Sequence, residues 1–193
     1  MEELERDPRE VLSLVVERAI EAKSLLCEEN GGMVDSPPLL IGEFANGEGF
    51  VVPDLLEGHP TDTLPTILSG LFEIMSNKYQ TPKFLWLAYV VEGYAKPIAS
   101  MTKEDEKNHE RGNLENEYKN NPATDIREGI IATVFPWEGD PLSQTILYRY
   151  NDSGLPVYDE TQHDPSVAKE GAIPDLFRFF ISYCHQVADA KNN

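Results

Sequence analysis

Apolar residues recur at three- and four-residue steps near the start of the chain, where Val11, Leu12, Val15, Ala19, Ala22 and Leu26 form one stripe. That spacing brings them onto one face of a helix. Asp7 is placed to cap it, Pro8 suits its first position, and Glu10 stands where a capping box needs a carboxylate. Gly31 and Gly32 supply the stop. The opposite face carries Glu10, Glu17, Glu21 and Glu28 with Arg18 and Lys23 among them, as expected of a solvated helix surface. Leu39 to Ala45 and Glu48 to Val52 then flank Asn46 and Gly47. This predicts two antiparallel strands joined by a type I′ turn with both central residues at positive φ. Pro53 ends the second strand, and Gly58, His59 and Pro60 form a loop before a helix capped by Asp62 or Thr63. Leu64, Ile67, Leu68, Leu71, Phe72 and Met75 are its stripe, Pro65 is tolerated in its first turn, and Tyr79 to Pro82 breaks it.

Phe84 to Val91 is an almost unbroken apolar run of strand length, the pattern of a central strand covered on both faces. After Pro97 the character changes, since Lys103 to Asp125 mixes charges and Asn with few large apolar residues. A polar insertion or arm is expected at about 98–126. Ile130 to Phe135, Leu142 to Tyr150 and Leu155 to Tyr158, with turns between them, predict a β-meander. In its middle strand Ile146, Tyr148 and Tyr150 alternate with Thr145, Leu147 and Arg149, and neither set is obviously the buried one. A last helix opens near Pro174 and Asp175 and places Phe177, Phe180, Ile181, Cys184 and Val187 on one face. The expected fold is α+β: a mainly antiparallel sheet of about five or six strands against three helices, one acidic domain over residues 1–193.

Charge changes this picture most. The chain has 34 acidic against 16 basic residues, a formal net charge of -18. Between Ser24 and Asn77 there is no Lys or Arg, yet nine acids fall there; Trp137 to Asp175 carries eight acids against Arg149 and Lys169. Such a surface disfavours nucleic acid and anionic membrane, so direct binding to either is not expected. No apolar run approaches membrane-spanning length, and the acidic start lacks the features of a secretory signal, which predicts a cytoplasmic location. Cys27 and Cys184 both sit in helical apolar patterns and are expected as buried reduced thiols.

The signatures of common chemistries are missing. Gly42, Gly47 and Gly49 lie in a hairpin, without the lysine of a phosphate-binding loop, and no nucleophile elbow or paired metal cysteines occur. Asp159, Glu160, His163 and Asp164 cluster without a recognised metal spacing and are expected as a solvated loop; Asp54, Glu57 and His59 satisfy turn chemistry. Cys184 and His185 are neighbours on a helix and diverge by about 100°, so they do not form a nucleophile and base. Glu92 ends the central run and is expected to mark its return to solvent, where Arg127 and Glu128 of the following strand can reach it. Neither a metal nor a cofactor is expected, and the catalytic residues of an enzyme cannot be named.

Trp86 through Glu92, Gly93 and Tyr94, then Arg127 and Glu128, then Tyr148, Arg149 and Tyr150 with the Asp152 to Gly154 turn, together resemble small acidic proteins of phages and bacteria with no assigned activity. The resemblance covers the central half of the chain and implies a source, without an activity. Charge and missing signatures point to a non-enzymatic accessory protein that binds a basic protein partner through acidic surfaces. The expected binding residues are Glu43, Glu48, Asp54, Glu57, Glu104 and Glu110. Alternatives are a hydrolase-like enzyme with a carboxylate and histidine site, a DNA-mimic inhibitor, and a particle assembly component. Oligomeric state is open.

Overall fold

The apolar run from Phe84 becomes the strand around which everything else is laid. A computed structural model describes residues 6–52, 60–95, 127–162 and 172–192. The elements are α1 (Pro8–Asn30), β1 (Leu39–Phe44), β2 (Gly49–Val52), α2 (Pro60–Lys78), β3 (Phe84–Ala95), β4 (Arg127–Pro136), β5 (Leu142–Tyr150), β6 (Pro156–Gln162) and α3 (Ala172–Asn192). The six strands form one sheet in the order β2-β1-β3-β4-β5-β6, and every neighbouring pair is antiparallel. The α+β class, the three helices among the described residues and the meander β4-β5-β6 agree with the sequence pattern. The expected arm at 98–126 lies outside the described residues.

Helices cover both faces of the sheet, which is why β3 lacks alternation. Leu87 and Tyr89 pack with Leu68, Leu71 and Met75 of α2 and with Phe177 and Phe180 of α3. Ala88 and Val90 turn the other way, beneath Val15, Val16 and Ala19 of α1. The same division explains β5: Ile146 and Tyr148 join the α1 layer, while Leu147 on the opposite face is also fully buried. Both cysteines are free and buried, and burial pushes the Cys184 thiol up to about 12.

Helix α1 starts on Asp7, whose side chain accepts from Arg9 N, and stops at Gly31, whose φ of 72° is the left-handed cap that a glycine accepts without strain. Its buried residues are Val11, Leu12, Val15, Val16, Ala19, Lys23 and Cys27. The face is therefore rotated from the expected stripe: Ala22 is exposed, and Lys23 is inside.

The hairpin turn also differs from expectation. Gly47 alone has positive φ, at 83°, and Asn46 does not. Gly47 N donates to Phe44 O and Phe44 N to Glu48 O, the pattern of a three-residue loop in which only the glycine takes the left-handed position. Asn46 instead uses its Oδ1 to accept from Glu48 N at 3.0 Å. Beside this turn Gly42 is pressed between strands. A Cβ there would lie 2.6 Å from Phe50 Cζ and 2.8 Å from the Trp86 carbonyl oxygen. Gly42→Ala is expected to lower stability by about 1–3 kcal/mol in urea unfolding, because the backbone oxygen cannot move aside as a side chain can.

Candidate functional site

The most unusual chemistry lies under α1. Lys23 is 1% exposed, although α1 is a surface helix. It occupies the position of an apolar residue, four after Ala19 and four before Cys27, so its stem runs into the core layer. The ammonium meets Glu92 of β3, with Nζ 2.7 Å from Oε1 and 3.0 Å from Oε2, and it donates to the Val34 carbonyl. Ser36 N donates to the same Glu92 Oε2 at 3.0 Å. Tyr148 and Tyr150 turn their rings toward the ammonium, 5.3 and 5.6 Å from their centroids.

A buried ion costs several kcal/mol of lost hydration unless its surroundings replace water. Burial disfavours the Lys23 ammonium, but the contacts with Glu92 and Tyr150 outweigh it and its pKa is raised. Lys23 therefore stays charged at neutral pH. An ammonium has no lone pair with which to attack a carbonyl, so in this state Lys23 acts as a charge and a hydrogen-bond donor. The tyrosines are equally poor acids. Burial, then the Glu92 and Glu128 charges, raise the Tyr148 phenol, whose hydroxyl donates to Glu128 Oε2 at 3.0 Å. Burial also raises Tyr158, which donates to the Ile20 carbonyl at 3.2 Å and lies 3.3 Å from Ser24 Oγ.

Not every polar atom of the centre is satisfied. Glu92 Oε1 is met by the Lys23 ammonium at 2.7 Å, whereas the buried Ser36 Oγ has no partner. Both residues line a cavity of about 210 Å³ between α1 and β3, closed on one side by the connector that follows α1.

The carboxylates expected to bind a partner are used differently. Glu43 is 7% exposed and accepts from Arg6 Nη2 at 3.0 Å and Trp86 Nε1 at 2.8 Å. Burial raises its carboxyl, yet the Arg6 and Trp86 donors prevail and hold it below its ordinary value. Glu48 is exposed, but Lys78 Nζ at 2.8 Å and the Tyr79 hydroxyl at 2.6 Å occupy it, and these contacts lower its carboxyl to about 2. The two glutamates are on opposite faces of the hairpin. Asp54, Glu57, His59, Glu104 and Glu110 lie outside the described residues.

Two further expectations are altered. Glu92 does not return to solvent but ends the buried alternation Ala88, Val90, Glu92 under α1. Arg127 pairs with Asp159, and Glu128 receives Tyr148. Cys184 and His185 diverge as their spacing requires: the thiol enters the α2 and α3 core, and the imidazole stacks on Trp137 at 3.9 Å with Nε2 2.9 Å from its carbonyl oxygen. His163 and Asp164 lie outside the described residues, and among the described residues no three His, Cys, Asp or Glu converge as metal ligands. No described helix is long and apolar enough to cross a membrane.

Lys23 is the residue the sequence pattern misplaces. Its polarity suggests solvent, while the run Leu12, Val16, Ala19, Lys23, Cys27 at helical spacing is the signal that finds it. Comparison with protein-family models, with curated proteins and with solved structures finds no match for this chain.

Removing one partner of the pair strands the other. Lys23→Met is expected to destabilise by about 3–5 kcal/mol in chemical denaturation, with Lys23→Met/Glu92→Leu regaining most of the loss. Glu48 responds to acid. Its depressed carboxyl contributes stability in full above about 4.5, lost as pH falls toward about 2. An NMR titration should place the Glu48 midpoint near 2, and Lys78→Met should return it toward 4.5.

Proposed function

We propose that the chain is a non-enzymatic binding protein whose acidic surface engages a basic protein partner. The observation that carries this reading is the outer face of α1. Glu10, Glu17, Glu21 and Glu28 are all exposed and, by helical spacing, fall within one narrow stripe about 27 Å long. Leu14 and Leu25 stand beside them, 50% and 58% exposed. Arg18 offsets one charge through its 2.7 Å contact with Glu21. A stripe of this kind suits a basic surface that also offers apolar contact, with charge setting the approach and leucines adding buried area.

The rest of the molecule supports binding over turnover. Glu43, Glu48 and Asp159 already hold cations within the chain, and the buried Lys23 is locked as an ammonium. What is left open is a helix face on which Glu10, Glu17 and Glu28 have no ion-pair partner among the described residues. A cytoplasmic setting, among basic proteins, is part of this proposal.

Tagged protein incubated with extract of its source cells is expected to retain a basic protein at low salt and release it at moderate salt. Changing Glu10, Glu17, Glu21 and Glu28 to Gln should abolish that retention while the protein stays folded, because all four side chains are exposed. Retention that survives both salt and the four changes would contradict the proposal.

A further inference from the structure

We infer that the cavity beneath α1 is a binding site for a small neutral amphiphile: an apolar body ending in a hydroxyl. Its volume, about 210 Å³, would hold about seven waters. Its walls are apolar, built by Ala19 of α1, Leu39 of β1 and Val90 of β3. Polarity is confined to Lys23, Ser36 and Glu92. There Ser36 Oγ is buried without a partner, while Glu92 Oε1 on the same cavity wall holds the Lys23 ammonium at 2.7 Å and has a lone pair to spare. A buried hydroxyl left unmet is costly, and a ligand hydroxyl can accept from Ser36 while donating to the remaining lone pair of Glu92 Oε1.

The charge pattern selects the head group. Lys23 Nζ sits 2.7 Å from Glu92 Oε1, so a cationic head would approach a fixed ammonium. A carboxylate head would meet the Glu92 charge. The attraction from one member of the pair is thus offset by repulsion from the other, so a charged head would lose its hydration without net compensation, a cost that a neutral hydroxyl largely avoids. The body has room to extend, because Ala19, Leu39 and Val90 also line a second, larger groove of about 680 Å³ that runs along the flank of α1 over Ile41 and Trp86. The unpartnered Ser36 hydroxyl marks the head end, and the groove marks the direction of the tail.

Benzyl alcohol tests the site, with toluene, benzylammonium and benzoate as controls, by amide NMR titration of the full chain. Saturable shifts centred on Lys23, Ser36 and Glu92 are expected with benzyl alcohol, and binding of each control is expected to be weaker by about tenfold or more. Ser36→Ala should reduce benzyl alcohol to the level of toluene. Ala22→Leu, at an exposed helical position on the cavity rim, should block all four probes while the protein stays folded. The inference is overturned if benzyl alcohol fails to saturate, if toluene matches it, if Ser36→Ala leaves it unchanged, or if Ala22→Leu does not displace it.

Discussion

A lysine ammonium carried into the interior on one face of a helix must find a counter-charge at a fixed place, and here that place is Glu92 on the central strand. The ion pair leaves α1 little freedom of rotation. With Lys23 turned inward, Val15, Val16 and Ala19 lie on Ala88 and Val90, and the helix covers β3 and β4. A buried pair of this kind need not add net stability over an apolar pair of equal volume. Its effect is registry: it selects one helix orientation among those that hydrophobic burial alone would allow.

Orientation inside fixes chemistry outside. The same turn of α1 that buries Lys23 presents Glu10, Glu17, Glu21 and Glu28 to solvent on the far side. Net charge is therefore a poor guide to free charge in this chain, because Glu43, Glu48, Glu92 and Asp159 face internal cations. Glu10, Glu17 and Glu28 have no such partner among the described residues and stand where the helix has been turned outward. The flank of α1, between these two faces, borders the cavity and groove, so one helix carries an acidic face, an apolar flank and a buried charge.

Much of the fold is legible in the sequence because its signals are local. Pro8, Gly31, the Asn46 and Gly47 turn and the apolar run from Phe84 mark elements that form where they are expected. What the sequence hides is pairwise. Periodicity could not tell which face of β5 is buried, because Ile146 and Leu147 are both buried, on opposite sides. Polarity placed Lys23 and Glu92 in solvent, since each side chain alone belongs there. Only their meeting across 69 positions of sequence makes burial tolerable. Glu43 is misread for the same reason, its partners Arg6 and Trp86 being distant in the chain.

The protonation and environment of Lys23 test this account most directly. In a lysine-selective 15N spectrum at neutral pH, Lys23 should give a slowly exchanging ammonium signal. Its protons should be shifted by the Tyr148 and Tyr150 rings that lie 5.3 and 5.6 Å away. Loss of that signal in Glu92→Gln would follow from the same pairing. A Lys23 resonance that exchanges as fast as those of exposed lysines, with ordinary shifts, would show the ammonium in water and contradict the pinned orientation of α1.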